Sequence, residues 1–114
     1  MDFKNVNSFE DRLSESEKIM NKYPSRLPII VQKGHSCILN DISKKKYLVP
    51  KDLNMSQFIY IIRKRVNLDK SQSIFLMVGN QLCPSNIPIS SVYEDNKDKD
   101  GFLYITYTSE NTFG

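Results

Sequence analysis

The segment from Lys44 to Val66, KKKYLVPKDLNMSQFIYIIRKRV, constrains the fold more than any other stretch of the chain. Lys46-Tyr47-Leu48-Val49-Pro50 reads as a short strand, because Tyr and Val favour the pleated form. Pro50 has no N–H for a ladder, so this strand stops there or lies on a sheet edge. Asn54 then stands three residues before Gln57, the spacing of a capping box at a helix start. From Met55 the apolar residues fall at Met55, Phe58, Ile59, Ile62 and Val66. At helical spacing they form one stripe about 100° wide, the mark of a helix that lies on a core. Ile61 and Arg65 fall outside the stripe and share the helix flank. They read either as a binding rim or, more commonly, as a core-edge residue beside a solvated charge.

The rest of the chain can be placed around this unit. Phe3 and Val6 allow one short amphipathic turn. Ser8 is a cap for a helix over 9–22, with Glu10 and Asp11 in the first turn, where carboxylates favour the helix dipole. Pro24 ends it. Leu27–Gln32 alternates Ile29 and Val31 with Pro28 and Ile30, so both faces of this strand are apolar and each needs a cover. Residues 33–45 form a polar connection. Ile74–Val78 is a fully apolar run bounded by Gly79-Asn80 and is expected to be a buried strand. Gln81–Pro84 is a candidate short edge strand. Pro88 can open a short helix through Tyr93. Residues 94–101 form a charged loop. Phe102–Tyr107 is the last strand, with Leu103, Ile105 and Tyr107 on one face and Phe102 and Tyr104 on the other.

This order predicts an α+β fold of the β-grasp (ubiquitin-like) class. One long helix crosses a four-stranded mixed sheet, with helical residues added at the N-terminus. The 114 residues suit one domain, expected over 1–107 with an N-terminal helical part to about residue 24. A polar tail is expected over 108–114.

Composition excludes several classes. Hydrophobic content of 39% and charged content of 25% are globular values. The formal net charge is +3, but Lys44 to Arg65 carries seven basic residues against the single acid Asp52. Such a face attracts acidic peptides, anionic lipid or nucleic acid, or is simply solvated. There is no signal-like segment, and the longest apolar runs are too short to span a bilayer. Cys37 and Cys83 are far apart, which fits a reducing, cytoplasmic compartment. Asn54-Met55-Ser56 matches a glycosylation sequon and reads here as a cap only. His35 is the sole histidine. Its closeness to Cys37 lacks an orienting group, and no metal-ligand set or phosphate-binding glycine loop is present. Basic residues without a clear aromatic platform argue against nucleic acid as a partner.

Three segments resemble the autophagy ubiquitin-like modifiers, the GABARAP-like proteins. They are FEDRLSESEKIMNKYPSRLPIIVQK, KKKYLVPKDLNMSQFIYIIRKRVNL and FLYITYTSENTFG. The match runs over nearly the whole chain. It implies a β-grasp domain with two N-terminal helices, no enzymatic activity of its own, and two functions. The first is docking of aromatic-x-x-aliphatic motifs on receptors, as an added strand beside Lys46–Pro50. The resemblance implies an aromatic pocket of Glu15, Ile19, Pro28, Ile30, Lys46, Leu48 and Phe102. It implies an aliphatic pocket of Tyr47, Val49, Pro50, Leu53, Phe58 and Ile61, with Arg26, Lys44 and Arg65 meeting the motif's acids. On this reading, Leu48→Ala with Tyr47→Ala abolishes docking and leaves the domain folded.

The second implied function is conjugation. The C-terminal glycine of the family is activated by an activating enzyme, carried by a conjugating enzyme and joined to phosphatidylethanolamine, which places the protein on the autophagosome membrane. A cysteine protease processes and deconjugates it. Here the sequence stops at Gly114, which is the implied conjugation residue, preceded by Phe113 at the family's penultimate aromatic position. Phe75 and Met77 are implied to meet the protease or activating enzyme, in a run, IFLMVGN, less rich in phenylalanine than in relatives. The resemblance implies no cofactor beyond the covalent lipid, no metal, and no nucleic acid. A monomer is the simplest expectation. The alternative is a peptide-binding adaptor of the same fold that is never conjugated.

Overall fold

A computed structural model describes residues 2–35 and 37–109. Helix α1 spans Phe3–Val6 and α2 Phe9–Lys22; strands β1 (Arg26–Lys33) and β2 (Lys46–Pro50) follow. Then come α3 (Met55–Val66), β3 (Phe75–Val78), β4 (Gln81–Leu82), α4 (Ile89–Asn96) and β5 (Leu103–Thr108). The sheet runs β2-β1-β5-β3-β4. β1 and β5 pair parallel, with Ile29 beside Leu103, and the other neighbours are antiparallel. The sheet thus has five strands instead of four. The candidate edge strand exists but is only two residues long, because Gly79 at φ 60° turns the chain sharply and Pro84 follows soon after.

The helix starts follow from their caps. Ser8 Oγ accepts from the Asp11 N–H at 3.1 Å. At α3 the full capping box is present: Asn54 accepts from Ser56 N–H at 3.0 Å, and Gln57 Oε1 accepts from Asn54 N–H at 2.9 Å. Asn67 closes α3 in the left-handed region at φ 61°, a conformation asparagine tolerates better than most residues. α4 differs from expectation. Pro88 caps it instead of opening it, and it runs on to Asn96, into the expected charged loop.

The core lies between α3 and one sheet face. Met55, Phe58, Ile62 and Val66 meet Leu27, Ile29, Val31, Tyr47, Val49, Leu76, Leu103, Ile105 and Tyr107. The other face of β1 is covered too. α2 packs there, and Ile30 and Phe102 are fully buried. β3 departs from the expected buried strand. Ile74 and Leu76 are buried, but Phe75, Met77 and Val78 are only half-buried. The N-terminal helix that covers this second face packs on β1, two strands away.

Asp100 fastens the N-terminal helices to β5. Its carboxylate is fully buried and accepts from Arg12 Nη1 at 2.6 Å, Tyr104 hydroxyl at 2.5 Å and Phe102 N–H at 2.8 Å. Ser16 donates to its carbonyl oxygen at 2.5 Å. Burial, and next the Asp100 carboxylate that accepts its proton, push the Tyr104 hydroxyl far above its usual range. Phe3 lies edge-on to Phe102 with centroids 5.2 Å apart, and Lys4 pairs with Asp98 at 2.6 Å.

Candidate functional site

β2 is a sheet edge, so one side of it has no strand partner. Its pairing fixes which groups face outward. Val31 N–H bonds to Lys45 C=O, and the register pairs Ile29 with Tyr47 and Leu27 with Val49. In an antiparallel ladder hydrogen-bonded pairs alternate with open ones. Tyr47 and Val49 therefore bond inward to β1, while Lys46 and Leu48 direct their N–H and C=O groups to the free edge. Pro28, opposite Leu48, sits at an open pair where its missing N–H costs nothing towards β2. Arg26 Nη1 donates to the Leu48 carbonyl at 3.0 Å. Pro50 ends the row of donors.

The predicted aromatic pocket lies on the α2 side of this edge. Pro28 and Ile30 are cross-strand partners of Leu48 and Lys46, so all four side chains share one face. Pro28, Ile30 and Phe102 are buried and form a floor, while Ile19 and Leu48 are half-buried above it. Lys46 and Glu15 form an ion pair that ties β2 to α2. The Lys46 ammonium also sits 5.8 Å from the centroid of the Phe3 ring. Phe3 thus touches both Phe102 and Lys46, a neighbour that sequence reasoning missed. Nothing in the spacing of Phe3 signals this, since it comes from the docking of α1.

The predicted aliphatic pocket lies on the α3 side. Leu53 and Ile61 are half-buried and pack on the core, and Pro50 is exposed. Tyr47, Val49 and Phe58 are not walls but core: 4%, 5% and 0% exposed. The Tyr47 ring meets Phe58 edge-on at 5.8 Å. Burial raises the Tyr47 hydroxyl above its usual pKa, opposed by the nearby Arg65 charge, and the hydroxyl has no hydrogen-bond partner among the described residues. Tyr47→Ala would therefore open a core cavity, so a loss of docking in the Leu48→Ala, Tyr47→Ala pair would not separate a lost contact from a lost fold. Leu48, half-exposed on the opposite face, is the residue that can be trimmed.

The charged rim is basic. Arg26, Lys44 and Arg65 are exposed, and the Lys44 ammonium lies 5.1 Å from the Tyr47 centroid. Phe75 and Met77 lie elsewhere, on β3, opposite Thr108 and Thr106 of β5. Met77 shares a cavity of about 460 Å³ with Gly34, His35, Thr106 and Thr108. These residues flank the point where the chain leaves the sheet. The tail expected from Thr108 starts no earlier than Ser109, because Thr108 is still in β5. Gly114 and Phe113 lie outside the described residues. Cys83 is buried, and burial pushes its thiol up to about 11, so it is a packed side chain and a poor nucleophile. Among the described residues no helix is long and apolar enough to cross a membrane, and no cluster of His, Cys, Asp and Glu has the makings of a metal site.

Residues 11–114 match the family model described as "Autophagy protein Atg8 ubiquitin like". The chain belongs to the Atg8 family. It is 54% identical to autophagy-related protein 8e of Arabidopsis thaliana over 112 residues, 98% of this chain and 92% of that one. It is 49% identical to autophagy-related protein 8 of Kluyveromyces lactis, over 98% of this chain and 90% of that one. The crystal structure of Trypanosoma brucei ATG8 superposes with a TM-score of 0.92 at 37% identity, covering 100% of this chain and 98% of that one. Plasmodium falciparum Atg8, solved in complex with a Plasmodium falciparum Atg3 peptide, gives 0.89 at 34%, over 96% and 97%. This Atg8-family chain is thus an autophagy ubiquitin-like modifier with the β-grasp fold, and the expected family and fold class both hold.

Proposed function

We propose that this Atg8-family protein docks aromatic-x-x-aliphatic peptides as an added strand on β2 and is conjugated through Gly114 to phosphatidylethanolamine. The observation that carries the docking half is the free β2 edge. It presents Lys46 and Leu48 backbone groups between an apolar floor on one face and Leu53 with Ile61 on the other. Main-chain pairing supplies registration, and side-chain pockets on alternate faces supply specificity. Burying two anchors contributes about 2 kcal/mol each. The exposed charges of Arg26, Lys44 and Arg65 add about 0–1 kcal/mol each towards acidic flanks. Ordering the peptide offsets part of this, so affinity falls near micromolar. The complex of the Plasmodium relative supports a conjugating enzyme as one such partner.

The conjugation half rests on family membership and on the tail. From β5 to Gly114 the chain is long enough to reach roughly 20 Å. A glycine has no Cβ to obstruct attack at its carboxyl carbon or passage along a narrow channel. Phe75 and Met77 pair with Thr108 and Thr106 where the chain leaves the sheet, which supports the reading that they meet the enzymes that handle the tail. The protein itself contributes no catalytic group. It moves between the cytoplasm and the autophagosome membrane as the lipid is attached and removed by the cysteine protease.

Both halves are tested together with activating and conjugating enzymes, ATP and phosphatidylethanolamine vesicles. Wild type floats with the vesicles and Gly114→Ala does not. If neither floats while acidic aromatic-x-x-aliphatic peptides still bind, the protein is an unconjugated adaptor.

A further inference from the structure

We propose that the groove between α4 and the β3–β4 hairpin is a second docking surface, and that its occupant is a peptide segment carrying an apolar anchor beside a lysine or arginine. The groove lies at the opposite end of the sheet from β2. It encloses about 190 Å³, room for one side chain, between Val78, Leu82 and Cys83 on one side and Ser91, Val92 and Asp95 on the other. Leu82 is 41% exposed, one of the few large apolar side chains of the domain open to water. It also offers its backbone. Cys83 N–H bonds to Leu76 C=O, and the register pairs Met77 with Leu82 and Val78 with Gln81. By the alternation of an antiparallel ladder, Leu82 is the open residue, and its N–H and C=O point to the free edge.

Electrostatics choose the partner. Asp95 is exposed, and its side chain has neither an ion pair nor a hydrogen bond among the described residues. Its neighbour Glu94 is matched by Lys97 at 3.3 Å, and the Lys97 ammonium also lies over the Tyr93 ring. No lysine or arginine lines the groove. The last turn of α4 holds no basic residue, and the one cation beside it, the capping Lys97, is paired with Glu94, so the negative end of the helix dipole adds to the Asp95 charge. A cation on the incoming segment answers both. The sign is opposite to that of the β2 rim, where Arg26, Lys44 and Arg65 favour acids. The two edges thus select different peptides and can be filled at the same time.

The test is display of random 12-residue peptides, panned on the full chain and counter-selected on Asp95→Lys. Asp95 is exposed, so this variant keeps the wild-type urea midpoint. The expected winners join an aliphatic or aromatic residue to Lys or Arg. By fluorescence polarisation they lose at least tenfold in affinity on Asp95→Lys and on Leu82→Ser, and nothing on Leu48→Ala. Three results overturn the proposal. Counter-selection leaves no enriched peptide, or the winners are acidic and are lost on Leu48→Ala. Or wild type self-associates in sedimentation and Asp95→Lys does not, which makes a second copy the occupant.

Discussion

The Arg26 guanidinium donates to the Leu48 carbonyl at 3.0 Å, on the edge where an incoming strand would seek that same oxygen. In the proposed docking mode Arg26 is therefore both a competitor for the strand and a charge that attracts acidic peptides. Arg26→Ala separates the two roles. An acidic docking peptide is expected to weaken up to about fivefold, since one exposed charge contributes about 0–1 kcal/mol. The same peptide with its acids replaced by glutamine is expected to bind as well as before, or tighter. Calorimetry on the two peptides reads the split, and equal weakening of both would refute the competition.

Leu48 and Tyr47 are neighbours on opposite faces of β2, and their alanine variants should diverge. Leu48→Ala is expected to lower peptide affinity about tenfold, in line with the loss of one half-buried anchor. Its urea midpoint should move little. Tyr47→Ala is expected to cost about 3–5 kcal/mol of stability, the usual range for an aromatic removed from a core. Tyr47→Phe, which removes the unpartnered buried hydroxyl and keeps the ring, is expected to hold or raise stability. Urea unfolding of the three variants checks this order.

Gly101 sits at φ 90°, and a Cβ there would overlap Ser16 Oγ and come within 3.0 Å of Ser16 Cβ. Gly101→Ala is expected to destabilise by about 3 kcal/mol, from backbone strain and overpacking combined. Adding Ser16→Ala removes only the overlap with Oγ, so it should restore a part and leave the backbone strain. Full rescue by the double variant would show that the conformation carries no cost.

Acid should loosen α1 before the core. Burial, the largest single influence, would raise the Asp98 pKa, but the bond from Lys4, the Asp100 N–H and the charges of Lys4 and Arg12 together hold the carboxyl below its ordinary value. Asp41 is lowered too, chiefly by its bond from Lys33. A carboxyl lowered in the folded state contributes stability above its unfolded pKa, about 3.9 for aspartate. That contribution is lost as pH falls through the folded value. Lys4→Ala should therefore be less stable than wild type at pH 7 and equal to it once both carboxyls are protonated. A difference that persists at the acid end would assign the effect of Lys4 to its packing over Tyr104 instead.

Much of this architecture was legible in the chain because it rests on local rules. Asn54 and Gln57 make the capping box that their spacing promises. Ile29 and Val31 face α3 while Ile30 faces α2, as alternation requires. Pro50 marks an edge strand, and β2 is one. What could not be read depends on contacts between distant segments. Asp100 looks like one more acid in a charged loop, and only the folded chain brings Arg12, Ser16 and Tyr104 around it. The resemblance makes Tyr47 and Val49 pocket walls, but as the cross-strand partners of Ile29 and Leu27 they lie on the core face under α3. Thr108 looks like tail because nothing polar in its surroundings predicts a strand, and it is held there by pairing with Phe75.

The parallel pairing of β1 with β5 bears on how the molecule is made. The strand at the centre of the sheet is the last in chain order, and Ile29 finds Leu103 more than seventy residues away. During translation β1 has only β2 beside it, and the β3–β4 hairpin has no neighbour, until β5 has left the ribosome. Such long-range closure comes late in folding. The residues that follow β5 are synthesised after it, so the tail emerges behind the strand that completes the sheet. A chain that has not yet released β5 therefore lacks the central strand that joins its two hairpins, and has no finished domain.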